Sequence, residues 1–286
     1  MPNLREIKTH IQSVQRIAKV TRAMEMEAAA KNRRVRSRAE SSRPFAVKSW
    51  EVLAHLASAA ESYVRTNPMF CGRARVDRIG MLLFTSDRGM VGAYNHNVIA
   101  MASRYIESSQ VPVELVTIGK MGRDAMLRRG YHIHAEFAQL ADTIDIAAMS
   151  PVAGVLLDGF RDRIYDQAVV AHTQFRPRAR MRPTVQQLLP LCPLEPAQPR
   201  PYIYEPGPEQ LLQALLSRLV RFQIYQAFLE SLAAETMSRM VAMHTATENA
   251  SDLVDHLTIT YNKARQQAIT REISDIMGGA TALGHG

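Results

Sequence analysis

No Gly or Pro interrupts residues 209–277, which read EQLLQALLSRLVRFQIYQAFLESLAAETMSRMVAMHTATENASDLVDHLTITYNKARQQAITREISDIM. At about 1.5 Å per residue, a single helix over this range is roughly 100 Å long, whereas a small domain is about 30 Å across. Such a helix cannot fit inside a globule. Pro208 suits its first turn and the Gly278-Gly279 pair suits a C-terminal cap, so we expect the helix to begin and end at these residues.

A seam of apolar and small residues follows this helix at alternating steps of four and three. The seam consists of Leu215, Leu219, Phe222, Gln226, Leu229, Ala233, Thr236, Met240, Met243, Thr247, Ala250, Val254, Leu257, Tyr261, Ala264 and Ala268. Its period of about 3.5 residues predicts a coiled coil with left-handed supercoiling.

The N-terminal residues offer a partner helix. Residues 3–43 contain no Gly or Pro, and Asn3 with Glu6 resembles a capping box. Apolar residues again recur at steps of three and four before the phase slips. They are Leu4, Ile7, Ile11, Val14, Ala18 and Thr21, continuing through Met24, Ala28 and Val35. Pro44 is expected to kink or break this helix, and a second helical stretch is expected from Phe45 to about Val64.

The residues between the two ends alternate between short apolar runs and helical patterns. Ile79–Phe84 is a continuous apolar run typical of a buried parallel strand, and a helix at about 90–107 follows it. A second strand at 113–118 with a helix at 120–129 repeats the unit. Further strands are expected at 131–134, 168–175 and 184–189, and a helix at about 144–165. This alternation predicts an α/β domain.

The fold class predicted from these patterns is α/β, with a long antiparallel coiled coil of the N- and C-terminal helices and an inserted Rossmann-like α/β domain. The N-terminal coiled-coil helix is expected at 1–67 and the C-terminal one at 209–286. The α/β domain is expected at 77–200. Nine prolines in residues 177–208 predict a mostly extended connector between the domain and the C-terminal helix.

The composition limits the kinds of partner that the chain could bind, but it does not identify one of them. A net charge of +8 implies attraction to nucleic acid, anionic lipid or an acidic protein surface.

The apolar runs are far shorter than the roughly 20 residues of a membrane span, so any membrane association is expected to be peripheral. The N-terminus enters a charged helix without an apolar signal core, so we expect an unprocessed cytoplasmic chain. Cys71 and Cys192 have neither CxxC nor metal-ligand spacing, which indicates ordinary thiols.

No motif predicts catalysis, a cofactor or a metal. The sequence contains no GxxxxGKS/T loop, GxSxG elbow or HExxH pair. The turn at Arg88–Gly92 lies where open α/β sheets often hold ligands, but tight turning explains its glycines more simply. His132, His134, His244 and His256 have no partner at metal-ligand spacing and are interpreted as ordinary surface or core residues.

A dense basic run, KNRRVRSR at residues 31–38, has three interpretations. It is a solvated helix face, a nucleic-acid site, or a docking site for an acidic protein surface. The absence of interleaved aromatic residues and of a base-reading motif weakens the nucleic-acid interpretation.

Three parts of the chain resemble the gamma family of F-type ATP synthases, and together they cover both ends and the middle. The first is LREI at residues 4–7 with SVQ at 13–15 and KVTRAMEM at 19–26, which is similar to the family's opening helix. The second is TSDRG at 85–89, followed by Gly92 and Asn95. The third is MVAM at 240–243, ATENA at 246–250 and YNKARQQAITREI at 261–273. Glu27, Asn32, the pairs at 90–91 and 93–94, and the density of the basic run depart from the family's pattern.

This resemblance implies a non-catalytic rotor subunit. In the family the coiled coil enters the cavity of the hexameric alpha/beta head, while the α/β domain and the lower helix ends sit on the membrane c-ring together with the epsilon subunit. The implied function is to transmit torque between the c-ring and the catalytic hexamer, so that proton flow is coupled to ATP synthesis. The implied location is the cytoplasmic face of a bacterial cell membrane, with peripheral association.

The resemblance also implies contact residues. Arg265, Gln266 and Thr270 fall on the family's polar contact with the catalytic beta subunits. Met24 falls where the shaft meets the beta lever loops, which are acidic in the family and would give the basic face a partner.

Two further contacts follow from the same resemblance. Tyr202 and Glu205 are implied as foot contacts over the polar loops of the c-ring. An apolar C-terminal tip would turn in a hydrophobic sleeve, and its residues are Ile269, Ile273, Ile276, Met277 and Leu283.

Two other classes of protein remain open from the residues themselves. One is a nucleic-acid-binding protein with an antiparallel helical arm, whose binding would depend steeply on salt. The other is an α/β enzyme with helical dimerisation arms and a small ligand near Asp87 and Arg88. Binding of an alpha/beta hexamer distinguishes both from the rotor.

Overall fold

The computed structural model describes residues 4–140, 144–175, 181–191 and 202–283. The chain divides into two compact units. The terminal unit combines Met1–Ala28 with Met240–Gly286, and the central unit is Ala29–Arg239. Cys192 and most of the predicted Pro-rich connector lie outside the described residues.

Along the chain, a long helix at each end flanks a region that contains a five-stranded sheet. The helices are α1 (Leu4–Ala59), α2 (Glu61–Thr66), α3 (Pro68–Cys71), α4 (Tyr94–Ser108), α5 (Lys120–Arg128), α6 (Ser150–Arg161) and α7 (Pro208–Leu283), with a 3₁₀ turn at Ile146–Met149 before α6. The strands are β1 (Ile79–Phe84), β2 (Val113–Ile118), β3 (Ile133–Phe137), β4 (Gln167–Gln174) and β5 (Arg182–Leu189). The predicted mixed α/β class with long helices at both ends is confirmed.

The terminal unit is an antiparallel pair formed by the first part of α1 and the last part of α7. The hydroxyl oxygens of Thr21 and Thr247 lie 2.8 Å apart, and Glu25 Oε1 lies 3.0 Å from His244 Nδ1, so rising numbers on α1 meet falling numbers on α7. Among the residues of this unit whose burial is described, the buried ones lie on the predicted seam. They are Ile7, Val14, Ala28, Met243 and Ala250.

The central unit is built on a sheet with strand order β3-β2-β1-β4-β5. The first four strands are parallel, and β5 pairs antiparallel with β4. Every residue of β1 is buried, as its continuous apolar run predicts, because helices cover both faces of the sheet. One face packs on α4 and α5 through Val98 and Met126. The other packs on α6 and α7 through Leu156, Phe228 and Leu229.

Two predicted helix ends are wrong. Pro44 does not break the first helix, because α1 continues through it to Ala59. The ring removes one backbone hydrogen bond, but side chains on either side of it are held against α7. Ser42 donates to Gln226 Oε1 at 3.1 Å, and the rings of Phe45 and Phe222 pack edge to face at 4.9 Å. At the other end, α7 continues through the Gly278-Gly279 pair to Leu283 instead of stopping there.

Several predicted boundaries inside the α/β region also shift. The helix expected at about 90–107 begins at Tyr94, since Met90 and Gly92 adopt positive φ angles of 59° and 54° within a tight turn. The third strand lies at Ile133–Phe137, two residues later than expected at its start. The helix expected at about 144–165 divides into the 3₁₀ turn and α6, which ends at Arg161.

Candidate partner-contact surfaces

The turn after β1 is held by hydrogen bonds within the protein. Thr85 Oγ1 donates to the carbonyl oxygen of Ile118 at 3.0 Å and accepts from the amide of Gly122 at 2.9 Å. A Cβ at Gly119 would lie 2.2 Å from the carbonyl oxygen of Thr85, and the φ of Gly119 is 94°. Only glycine fits this close approach. The motif therefore fastens β1 to the start of α5.

The polar residues that follow serve the same loop. Asn95 Oδ1 accepts from the amide of Ser86 at 3.0 Å, and Ser86 Oγ donates to the carbonyl oxygen of Arg88 at 2.7 Å. The two carboxylate oxygens of Asp87 accept from the amides of Lys120 at 3.3 Å and Gln139 at 2.9 Å. These hydrogen bonds give Asp87 a structural role, and they do not favour the alternative of a ligand site at this turn.

The turn is also attached to α7 by a buried polar cluster that the sequence did not reveal. The hydroxyl oxygens of Tyr94 and Ser231 lie 2.7 Å apart. Arg239 bonds Glu235 Oε1 at 2.7 Å and the carbonyl oxygen of Arg88 at 3.4 Å. Burial is the main cause that raises the pKa of both the Tyr94 hydroxyl and the Glu235 carboxyl. The cluster connects the loop to the long helix, although the residues it joins are more than 130 positions apart in sequence. No local sequence motif predicts these contacts.

The basic run at 31–38 occupies two different sides of α1. Arg33, Arg34 and Arg38 are exposed, in agreement with a solvated or docking face. Asn32, in contrast, is buried against α7 and donates from Nδ2 to the carbonyl oxygen of Ala233 and to Thr236 Oγ1, both at 2.9 Å. The departure of Asn32 from the family's pattern is therefore a change within the helix pair.

The residues implied at the beta-subunit contact lie on the terminal unit. Arg265, Gln266 and Thr270 are exposed on α7, and Thr270 Oγ1 donates to the carbonyl oxygen of Gln266 at 2.9 Å. Met24 is half-buried on the seam of α1, whereas its neighbour Met26 is exposed. The structure brings the first three together within two turns of one helix. Met24 lies on the other helix of the same unit.

The C-terminal part of α7 carries apolar residues that face solvent. Ile269, Ile273, Ile276 and Met277 all belong to the large exposed hydrophobics of the chain. From Arg265 to Met277, every residue whose side-chain exposure is described is exposed. The Leu283 side chain lies outside the described residues. Ile269, Ile273 and Ile276 recur at steps of four and three, so they share one face of the helix. An apolar stripe in contact with water is typical of a surface that a partner covers.

The implied foot contacts lie in the central unit, just before α7. Tyr202 packs its ring edge to face on His55 at 5.2 Å and next to Tyr204 at 6.2 Å. Glu205 is exposed, and Ile203 between them is 91% exposed. Sequence reasoning missed Ile203, although an isolated apolar residue between two tyrosines in a proline-rich stretch is an available signal.

Three other observations bear on the site classes considered above. No group of three or more His, Cys, Asp or Glu residues that could hold a metal occurs in the described part of the chain. Among those residues, Cys71 is an exposed free thiol, and His132 lies 3.0 Å from Glu114 Oε2 through Nδ1. Within the same described ranges, no helix is both long enough and apolar enough to span a membrane.

Comparison with known proteins identifies relatives over the whole length of the chain. The family model described as ATP synthase matches residues 3–283. ATP synthase gamma chains of Dehalococcoides mccartyi strain CBDB1 are 43% identical over 285 residues, covering 99% of this chain and 100% of the relative. Those of Chloroflexus aurantiacus strain J-10-fl are 40% identical over 288 residues, covering 99% of both chains.

Solved structures agree with this relationship at the level of the fold. A chain of the Euglena gracilis mitochondrial ATP synthase, in a structure of its OSCP, F1 and c-ring, has a TM-score of 0.69 at 17% identity and covers 98% of this chain and 94% of its own. A chain of the Tetrahymena thermophila mitochondrial ATP synthase, in a structure of its central stalk and c-ring, has a TM-score of 0.62 at 23% identity and covers 80% and 99%. With more than 40% identity to a curated relative over nearly every residue, the chain belongs to the ATP synthase gamma chain family.

Proposed function

We propose that this chain is the central-stalk rotor subunit of an F-type proton-translocating ATP synthase. It transmits torque between the membrane c-ring and the alpha/beta catalytic hexamer, so that proton flow is coupled to ATP synthesis. The full-length match to ATP synthase gamma chains carries this proposal. The chain is a non-catalytic subunit, so the chemistry takes place on its partners. The complex is placed on the cytoplasmic face of a bacterial cell membrane, with this chain associated peripherally.

The surface of the terminal unit supports a role in contacting several partners. Large apolar side chains outside the seam are exposed on both helices, among them Val20 and Met26 on α1 and Val241 and Ile259 on α7. Apolar side chains left in water are available for burial against a partner, and that burial is favourable. We assign this surface to the alpha/beta head.

Unequal contact explains how a subunit without catalytic residues directs catalysis. Each beta subunit has several nucleotide-binding conformations, and a partner shifts their populations only by binding one of them better than another. The terminal unit is uneven, because Arg265 and Gln266 give one stretch of α7 polar groups while Ile269 and Ile273 give the next turns apolar ones. Rotation then presents a different face to each beta subunit in turn, and the angle of the shaft sets the conformation.

Specific contacts are assigned to the residues named above. Arg265, Gln266 and Thr270 contact the beta subunits through hydrogen bonds. Met24 contacts the beta lever loops. Tyr202 and Glu205 contact the c-ring loops, near the site of the epsilon subunit, in residues that precede α7.

The helix pair is tested by charges placed on its seam. Val254 and Leu257 are half-buried, whereas Ser251 and Thr258 on the same helix are exposed. Val254→Asp with Leu257→Asp should separate the helices and uncouple ATP synthesis from proton flow in reconstituted vesicles. Ser251→Asp with Thr258→Asp adds the same charge without entering the seam and should retain coupling. Full coupling in the seam variant would contradict the proposal.

The beta-subunit contact is tested by replacing exposed residues of α7, because such replacements change the stability of the chain little. Arg265→Ala should reduce ATP-driven rotation of a bead attached to the reconstituted hexamer, because a charged hydrogen-bond donor is lost. Lys263→Ala, two residues earlier and also exposed, is the matched control. Equal rotation and equal torque in the two variants would show that Arg265 does not contribute to the beta-subunit contact.

The foot contact is tested by binding of the purified chain to isolated c-rings. Glu205→Gln should weaken binding of the purified rotor to isolated c-rings, while Glu209→Gln, exposed in the first turn of α7, should leave it unchanged. If both variants bind c-rings as the unaltered chain does, Glu205 is not a foot contact.

Pull-down of an alpha/beta hexamer by the unaltered chain tests the class of protein. A rotor subunit binds the hexamer, whereas a nucleic-acid-binding protein or an independent enzyme does not.

A further inference from the structure

A cavity of about 680 Å³ opens between α1, the start of α7 and the 3₁₀ turn before α6, inside the central unit. Its walls are mainly apolar and include Phe45, Val52 and Phe222. Phe45 is 61% exposed, although its ring packs on that of Phe222 at 4.9 Å. A volume in this range with a mostly apolar lining is typical of a binding site for a small molecule.

The charged residues of this cavity are all basic. Lys48, Arg218 and Arg221 line it, and none of the described residues that line it is acidic. Lys48 has a carboxylate partner, because its Nζ lies 2.6 Å from Glu51 Oε2. Arg221 differs, since its Nε is buried and makes no hydrogen bond to any described residue. A buried donor without an acceptor is costly, so this guanidinium favours a ligand that supplies one.

The ligand chemistry follows from combining these two features. An apolar wall binds a hydrocarbon chain, and the arginines bind an anionic head. A guanidinium and a carboxylate form two parallel charge-assisted hydrogen bonds, and both Arg221 and the exposed Arg218 line the cavity. The cavity therefore fits a molecule with one alkyl chain and one carboxylate.

A protein segment fits the same cavity less well. Stable protein interfaces involve roughly 20–30 residues on each side, whereas twelve of the described residues line this cavity. An acidic amphipathic helix would find basic residues here, but the lining is too small to hold it by itself.

We propose that this cavity binds a single-chain carboxylate amphiphile, such as a long-chain fatty acid anion. The alkyl chain lies against Phe45, Val52 and Phe222, and the carboxylate is held by Arg218 and Arg221. This inference concerns the chain on its own and does not rest on the rotor function.

Calorimetric titration of the purified full-length chain with laurate, below its micellar concentration and at low salt, tests the proposal. Saturable binding of one laurate per chain is expected. Arg218→Glu should weaken it at least tenfold, and Arg104→Glu, an exposed arginine on α4 outside the cavity, should change it less than twofold.

Val52→Asp tests the apolar wall and should also weaken laurate binding about tenfold. If Arg221→Gln fails to fold, the exposed Arg218 and Val52 variants still decide the question. Equal laurate affinity in Arg218→Glu and the unaltered chain would overturn the proposal. Equally tight binding of dodecyltrimethylammonium would overturn it as well, and so would binding of an acidic amphipathic peptide without binding of laurate.

Discussion

The long helix α7 passes through two environments that differ sharply. From Leu219 to Thr236, in the central unit, no residue is exposed. From Ser251 to Ala264, in the terminal unit, only Val254, Leu257, Tyr261 and Ala264 are not exposed. The first stretch is core, and the second touches one partner helix along one stripe. One continuous helix thus combines a segment that is fixed by packing with a segment whose surface is left for other proteins.

The largest expected difference between the two stretches is in stability. Leu229 is fully buried, and Leu229→Ala should reduce the free energy of unfolding by about 2–5 kcal/mol through lost burial and a cavity. Leu257 is only half-buried, and Leu257→Ala should cost about 1 kcal/mol. Urea unfolding followed by circular dichroism measures both. Equal losses would show that the two stretches are packed alike.

A smaller effect sharpens the comparison at Asn32, whose buried amide lies between the long helices of the central unit. Asn32→Asp replaces two hydrogen-bond donors by acceptors, and places one of them against the carbonyl oxygen of Ala233. We expect a loss of about 1–3 kcal/mol in urea unfolding. Asn97→Asp on the exposed surface of α4 is the matched control and should stay within about 0.5 kcal/mol. Identical unfolding of the two variants would mean that Asn32 does not hold the pair.

The smallest expected effect concerns pH. Burial alone would raise the pKa of Asp166, but the hydrogen bond from Arg73 at 2.7 Å, those from the amides of Asp77 and Arg78, and the charge of Arg73 outweigh it and lower the pKa below its ordinary value of 3.8. A lowered pKa contributes stability that is fully present above the ordinary value and is lost as pH falls through the folded one.

Acid unfolding of the central unit should therefore steepen below about pH 4. Asp166→Asn removes the titrating group and should flatten the profile while lowering stability at pH 7. Asp162→Asn, at the C-cap directly after α6, is the control. An unchanged acid profile in Asp166→Asn would show that another group dominates. The pair of His244, which is exposed, and Glu25, which is half-buried, should contribute little in the terminal unit, as ion pairs near the surface usually do.

The sequence predicted the features that depend on local periodicity. The seam is buried or half-buried at every predicted position from Leu215 to Ala264, because a 3.5-residue period fixes which side of a helix faces its partner. Its last predicted residue, Ala268, is exposed, so the prediction is wrong at that end. Ile79–Phe84 is buried on both faces, because a run without polar residues has no side suited to water.

The features that the sequence missed depend on residues far apart in the chain. The first helix continues through Pro44, although a break was one of the two outcomes that the local rule predicted. Contacts with α7 on either side of the proline hold the helix there. The bond between Tyr94 and Ser231 and the burial of Asn32 need the fold to bring distant residues together. The contact residues, such as Arg265 and Tyr202, came only from the family resemblance and stay predictions.

The most direct test of the account joins the two helices of the terminal unit covalently. Thr21→Cys and Thr247→Cys replace hydroxyls that lie 2.8 Å apart, in a chain whose Cys71 and Cys192 are changed to Ser. In the assembled complex we expect a disulfide to form and proton-coupled ATP synthesis to continue at the rate of the reduced protein, because both helices turn as one body. Failure of the disulfide to form, or loss of coupling that a reductant restores, would contradict the account.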